Sequence, residues 1–185
     1  MGKLIIISGS SGSGKTTICH KLSERFPQLK FSVSATTRSP REGEKDGVDY
    51  YYFSRDRFQE LIKQSALIEW EEVHGNLYGT LKKTIEDTVN SSNYLILDID
   101  PKGALHLKEM YPDSLTIFLD AENAGALLKR LRGRKTESEE QIARRMARIR
   151  EENLLSNRFD YHILNTDLEH TTNKVASLIE KFITV

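Results

Sequence analysis

The run Gly9-Ser-Ser-Gly-Ser-Gly-Lys15-Thr16 constrains this chain more than any other stretch, because it follows an apolar segment, Leu4 to Ile7, and opens a helix-compatible one. Glycines at 9, 12 and 14 allow the backbone to double back with its N–H groups pointing inward, at the positive end of the next helix. A strand, a glycine-rich turn and a helix in that order make a phosphate-cradling P-loop. Lys15 is then placed to reach the β- and γ-phosphates of a nucleotide, and the Thr16 hydroxyl to ligate Mg²⁺. The alternative is a plain Gly/Ser turn, against which the complete pattern in its strand-to-helix setting counts. By itself the loop specifies a phosphate donor and leaves the acceptor open.

The remaining composition fits one enzyme-sized unit. With 185 residues, 38% of them hydrophobic, the chain can bury a core in a single domain that carries inserted subregions. Lys+Arg and Asp+Glu both total 27, and this zero net charge argues against a generic binder of nucleic acid or of anionic membranes. Cys19 is the only cysteine, so no internal disulfide can form, and its place in the first helix reads as a small core position. The N-terminal apolar run is too short for a signal peptide or a membrane span, so a cytoplasmic location is the expectation.

Apolar runs at Leu4 to Ser8, Phe31 to Ser34, Tyr94 to Ile99, Leu115 to Leu119 and Tyr161 to Leu164 read as strands. Most are continuous rather than alternating, which predicts a parallel sheet covered on both faces. Helical patterns fall between them at Lys15 to Phe26, Lys102 to Met110, Asn123 to Arg132 and Leu168 to Phe182. The fold class expected is therefore a three-layer α/β/α core of P-loop NTPase type with a parallel central sheet. Two stretches break the rhythm. Residues 35–92 hold an Arg/Gly-rich loop, aromatic strand material from Tyr50 to Phe53, a helix from Arg55 to Gln64, strand-like runs at Ala66 to Val73 and Leu77 to Gly79, and another helix, as in a small mixed insertion. Residues 130–156 are rich in charge and carry Arg130, Arg132, Arg134, Arg144, Arg145, Arg148 and Arg150.

The insertion opens with two arginines, Arg38 and Arg41, on a loop stiffened by Pro40 and made tight by Gly43 and Gly47. Guanidinium forks match phosphate oxygens, so such a pair can clamp one phosphate; solvated surface arginines are the duller reading.

Taken with their surroundings, these residues resemble guanylate kinase. The resemblance is carried by Ser34 to Tyr50, Leu67 to Trp70, Gly75 to Thr80, Leu97 to Asp100, Gly133 to Glu137 and Phe159 to Asn165, and with the P-loop it covers nearly the whole chain. It implies transfer of the γ-phosphate of ATP to GMP, giving ADP and GDP, with Mg²⁺ as cofactor. It also implies one domain over 1–185, in which 1–34, 93–129 and 157–185 form the core, 35–92 binds GMP and 130–156 is a helical lid. On the donor side it assigns Gly9, Ser10, Ser11, Gly12, Ser13, Gly14, Lys15, Thr16, Thr17, Arg134 and Asn165 to ATP. On the acceptor side Arg38, Arg41, Tyr50 and Tyr78 would hold the phosphate, Ser34, Glu69 and Thr80 would read guanine, and Glu44, Gly79, Asp98 and Asp100 would complete the GMP site.

The chemistry of the base supports Glu69 in this role. A carboxylate can accept from guanine N1–H and the 2-amino group together, whereas adenine would leave it buried and unpaired. For Asp100 a helix N-cap is a second reading, because Pro101 follows at the first helical position. In the lid Ile142, Met146 and Ile149 share one helical face. Arg134 and Arg145 match the family motif and would act as catalytic cations with Lys15 and Arg38, while Arg130 and Arg148 are further candidates. The partners expected are ATP and GMP, with use of dGMP left open, no nucleic acid and no membrane, for a chain acting as a monomer or a homodimer.

Three positions depart from the family pattern. Pro101 and Lys102 stand where an apolar residue and Gln are usual, and Ile149 replaces a small residue. The five histidines, His74 among them, show no metal-ligand spacing. Two rival readings remain: a non-catalytic guanylate kinase-like interaction domain, against which the intact Lys15 and Thr16 count, and a kinase of a phosphorylated ribose, against which Arg41 to Tyr50 and Glu69 count.

Overall fold

Apolar runs bounded by turn residues set the element order in the computed structural model, which describes residues 2–10, 12–73, 75–121, 125 and 139–184. The first half of the chain runs β1 (Lys3–Gly9), α1 (Lys15–Arg25), β2 (Leu29–Phe31), β3 (Ser34–Thr36), β4 (Tyr50–Tyr52), α2 (Arg55–Lys63), β5 (Leu67–Val73) and β6 (Asn76–Leu81). Then follow α3 (Lys82–Val89), β7 (Tyr94–Asp98), α4 (Pro101–Met110), β8 (Leu115–Ala121), α5 (Glu139–Asn153), β9 (Tyr161–Asn165) and α6 (Leu168–Thr184). Of the helix expected over Asn123 to Arg132 only Gly125, which is helical, falls among the described residues.

Five strands form an all-parallel sheet in the order β2-β7-β1-β8-β9. Its central strand β1 is apolar without alternation because both faces are covered. Ile5 and Ile7 pack with Ile18 and Leu22 of α1 and Val175 and Ile179 of α6, while Leu4 and Ile6 pack with Ile85 of α3 and Leu107 of α4. Ile5, Ile6 and Ile7 are fully buried, and burial of each such side chain stabilises the fold by about 1.5–3 kcal/mol. This is the three-layer α/β/α core with a parallel sheet that the sequence predicts.

The second sheet is mixed, with order β4-β3-β6-β5. β3 pairs parallel with β4 and antiparallel with β6, and β5 pairs antiparallel with β6. Helix α2 closes one side of it, burying Phe58 and Leu61 against Ala35, Leu67 and Leu77. The start of α2 is capped by Ser54, whose side chain accepts from Arg57 N.

One expected strand is corrected. Phe31 to Ser34 is not a single strand, because the pairing partner changes inside it. Ser32 N makes the last bond to the main sheet, at Ile96 O, and from Ser34 onward the chain pairs with β4 and β6 instead. The chain crosses from one sheet to the other here, and the cleft described below opens between the two.

Candidate active site

At the carboxyl end of β1 the chain turns at Gly9, where φ is +135° and an added Cβ would stand 1.9 Å from Leu119 O. Only glycine tolerates that approach to β8. Gly14 caps α1 with φ +93°, without a side-chain cap and without an acidic residue in the first turn. The positive end of α1 is therefore not neutralised by its own residues, which suits it to an anion. Lys15 folds back over the loop, donating to Gly9 O at 2.9 Å and Ser10 O at 3.0 Å. Asn165, at the end of β9, is buried and donates from Nδ2 to Ser13 O at 2.7 Å, bracing the loop from behind.

The Thr16 hydroxyl donates to Asp98 Oδ2 at 2.5 Å, joining the first turn of α1 to the end of β7. Two residues on, Asp100 caps α4: its Oδ1 accepts from Lys102 N and Gly103 N, and Pro101 occupies the first helical position. The N-cap reading of Asp100 therefore holds, and the side chain also borders the cleft.

A cleft of about 270 Å³ separates this loop from the mixed sheet. Gly9, Gly12, Lys15, Thr16, Asp98 and Asp100 line one wall; Ser34, Arg38, Arg41, Tyr50, Glu69, Tyr78 and Gly79 line the other. Strand register explains the second wall. Ser34 stands opposite Tyr50, Thr36 opposite Tyr78, and Ala35 opposite Gly79, so the three strands deliver their residues to one edge.

Glu69 is placed by a bulge. Between β5 and β6 the pairing moves from Leu67↔Leu81 to Glu69↔Thr80, so Ile68 is the extra residue, and it turns into the main core. The bulge re-aims the strand, and Glu69, Glu71 and Val73 then follow one another along the cleft. Glu69 Oε1 accepts from the Thr80 hydroxyl at 2.6 Å. Burial pushes the Glu69 carboxyl up to about 7, Asp100 and Glu71 add to the shift, and the bond from Thr80 opposes it.

Arg38 and Arg41 sit on a loop held by carboxylates. Glu44 Oε1 accepts from Arg38 Nη2 at 2.9 Å, and Oε2 accepts from Arg41 N at 2.7 Å and from the Tyr52 hydroxyl at 2.8 Å. Burial alone would raise the Glu44 carboxyl, but these bonds outweigh it and hold the group below its usual range. The Arg38 guanidinium lies 5.3 Å from the centre of the Tyr50 ring, and Tyr50 meets Tyr78 edge-on at 6.1 Å. Burial raises the Tyr50 hydroxyl far above its ordinary value, with Asp98 and Tyr78 adding to it, so this hydroxyl stays a hydrogen-bond donor.

Of the remaining expected residues, Thr80 and Glu44 stand behind the wall, bonded to Glu69 and Arg38. Ser10, Ser13, Gly14 and Thr17 belong to the loop or the helix it opens. Ser11 and Arg134 lie outside the described residues, as does the side chain of Arg145. Five residues that sequence reasoning missed also line the cleft: Glu71, Val73, Ile99, Ile149 and Glu152. Alternation from Glu69 could have found Glu71 and Val73, and a three-residue helical step joins Ile149 to Glu152. Ile149 is buried with Ala121 and Met146, so α5 packs its apolar face toward the end of β8. Lys102 is exposed and lies in a separate groove beside Trp70 and His106, on the far side of Glu69.

A parallel sheet whose central strand feeds a glycine-rich loop and the N-terminus of a helix defines a P-loop α/β protein, and here a second, mixed sheet faces that loop across the cleft. The guanylate kinase family model matches residues 1–182, and the chain belongs to that family. It is 41% identical to the guanylate kinase of Desulfitobacterium hafniense, over 96% of this chain and 89% of that one. With the guanylate kinase of Chlorobium luteolum the identity is 42%, over 99% and 93%. The crystal structure of guanylate kinase from Anaplasma phagocytophilum superposes with a TM-score of 0.78 at 31% identity, covering 97% of this chain and 85% of that one.

Proposed function

We propose that this chain transfers the γ-phosphate of ATP to GMP, giving ADP and GDP. The observation that carries the reading is a carboxylate, Glu69, held by Thr80 across one cleft from the loop that bears Lys15. An acceptor site with a buried carboxylate at one end and two arginines at the other fits a guanine and a phosphate.

Guanine would offer Glu69 two N–H donors, and these favour the ionised carboxylate that burial alone disfavours. Adenine would leave the same charge unpaired, the kind of mismatch that gives large discrimination. Ser34 would supply a hydroxyl to the base from the end of β3. At the other end Arg38, Arg41, Tyr50 and Tyr78 would hold the acceptor phosphate, with Glu44 behind Arg38.

On the donor side the amides of residues 9–17 and the positive end of α1 would hold the ATP phosphates, and Lys15 would leave Gly9 O and Ser10 O to follow them. The Thr16 hydroxyl and the Asp98 carboxylate are adjacent hard oxygens, a donor set that fits Mg²⁺. When bound there, Mg²⁺ neutralises charge on the phosphate oxygens.

No general base is required. The acceptor phosphate has a second pKa of about 6, so its attacking oxygen carries charge at neutral pH. The task of the protein is to bring two anions into line and exclude water. Lys15 and Arg38 serve from the cleft walls, and we assign Arg134 and Arg145 to the lid of residues 130–156. Among the described residues no helix is long and apolar enough to cross a membrane, and soluble nucleotide substrates support a cytoplasmic place of action.

The test is ADP production by the purified protein with ATP and Mg²⁺, offering GMP, AMP, CMP, UMP and a ribose bisphosphate in parallel. Turnover with GMP alone, relaxed or lost in Glu69→Gln, is the expected result. Turnover with none of them overturns the proposal and leaves a non-catalytic binding domain.

A further inference from the structure

Arginine side chains bind phosphate best when their forks are already aimed, because rotamer freedom is otherwise lost on binding. Arg38 is aimed by protein groups. Its Nη2 donates to Glu44 and its Nη1 to Ser39 O at 2.7 Å, its side chain is 14% exposed, and its guanidinium lies 5.3 Å and 5.9 Å from the ring centres of Tyr50 and Tyr52. Glu44 is the centre of this arrangement, since it also ties down Arg41 N.

A carboxylate with two arginine-side bonds still needs its own plane fixed, and the remaining contact does this. Tyr52 donates its hydroxyl to Glu44 Oε2 at 2.8 Å, from a ring that packs against Tyr50. Its backbone is tied as well: Tyr52 N donates to Asp46 Oδ1 at 3.0 Å. Three donors thus converge on Glu44 from three points of the chain: the Arg38 fork, the Arg41 amide and the Tyr52 hydroxyl. We propose that Tyr52 is a positioning residue for the acceptor phosphate, acting through Glu44 to hold Arg38 and the Arg41 backbone in a preset clamp.

The inference rests on the acceptor reading given above and adds a residue that lines no part of the cleft itself. Burial and the facing Glu44 carboxylate push the Tyr52 hydroxyl up to about 12, so it remains a donor throughout the working pH range. Tyr52→Phe is the informative change. It keeps the ring, its packing on Tyr50 and its place beside Arg38, and removes only the O–H.

The experiment measures steady-state kinetics and calorimetric binding of GMP and of guanosine for wild type, Tyr52→Phe, Glu44→Ala and the double variant. Loss of one charge-assisted bond predicts that Tyr52→Phe raises both KM and Kd for GMP by about 3–10-fold. The KM for ATP and the Kd for guanosine stay at wild-type values, because the hydroxyl acts only on the phosphate end. In the Glu44→Ala background the Tyr52 change has no further effect. Should Glu44→Ala fail to fold, Glu44→Met, which fills the space and removes both acceptor oxygens, takes its place in the cycle.

Unchanged GMP affinity in Tyr52→Phe overturns the proposal. So does guanosine weakened in step with GMP, or a full Tyr52 effect that persists without Glu44, since each of these is the mark of a residue that only packs. A wild-type protein that neither binds nor turns over GMP overturns the acceptor reading itself, and that failure is seen before any variant is measured.

Discussion

The Thr80 hydroxyl donates to Glu69 Oε1 over 2.6 Å, across a strand pair in which these two residues stand directly opposite each other. The other oxygen of the carboxylate faces the start of α4, where a Cβ built on Gly103 would come within 2.8 Å of Oε2. Glu69 is thus wedged between a hydroxyl and a helix, with Asp100 and Glu71 nearby as like charges. Hydrogen bonds from the side chain and the backbone of Thr80 offset part of the burial penalty, and the carboxyl still rises to about 7. The donors that would complete its satisfaction are those of a bound base.

GMP affinity should therefore rise with pH. If the ionised carboxylate reads guanine, the KM for GMP falls about tenfold between pH 6 and pH 8 on account of Glu69, and ionisation of the GMP phosphate adds about twofold in the same direction. Glu69→Gln should keep only the smaller dependence. A profile of KM against pH for both proteins checks this, and identical slopes would remove Glu69 from the site.

The same group should limit stability at alkaline pH. Its folded value, about 7, lies above the ordinary value of 4.5, so the folded chain holds the proton more tightly than the unfolded one. The resulting stabilisation is fully present below about pH 4.5 and is lost as pH rises through about 7. Glu69→Gln should accordingly melt higher than wild type at pH 8, with the gap narrowing as pH falls toward 5. Thermal unfolding at three pH values, with no nucleotide, decides it; a variant that melts lower at pH 8 contradicts the account.

How much of this was legible in the sequence follows the range of the interactions. The loop from Gly9 to Thr16 is a local motif, and the continuous run at Leu4 to Ile7 carries its own sign of double coverage, so core and donor loop could both be read. Residues 31–34 look like one strand because both halves are apolar enough, and only the change of partner from Ile96 to the second sheet reveals the break. The bulge at Ile68 left no mark in composition, yet it decides which way Glu69 points. Tyr52 was hidden in a run of aromatic strand residues, and its bond to Glu44 reaches back eight positions along the chain. Resemblance supplied the residues of the proposed acceptor site; the bonds among them, such as those converging on Glu44, it did not.

Gly103→Ala separates helix propensity from site geometry. Alanine is favoured over glycine in a helix by about 0.8–1.0 kcal/mol, so the substitution should not lower the stability of α4. The new Cβ would meet Glu69 Oε2 at 2.8 Å and Asp100 Oδ2 at 3.2 Å, both flexible ends that can move aside. Displacement of Glu69 should raise the KM for GMP by about 10-fold or more, as expected for a misplaced buried hydrogen-bonding group, while the KM for ATP is unchanged. Parallel melting and kinetic measurements test both halves, and an unaltered GMP KM would show that Glu69 does not need its present position.

Asn165 offers the corresponding test on the donor side. Its amide is buried behind the loop and donates to Ser13 O at 2.7 Å, joining the end of β9 to the turn that precedes α1. Asn165→Ala would leave that carbonyl without its donor and open a small void, a loss of about 1–3 kcal/mol for a buried group. Because the bond reaches the loop and no part of the acceptor wall, binding should weaken for ATP and stay unchanged for GMP. Asn165→Asp should be worse than alanine, since it sets a carboxylate oxygen against the Ser13 carbonyl. Calorimetric Kd values for ATP and GMP with the three proteins give the answer. Equal weakening of both nucleotides would mean that Asn165 supports the fold as a whole, and weakening in the order wild type, alanine, aspartate for ATP alone would establish it as the brace of the phosphate loop.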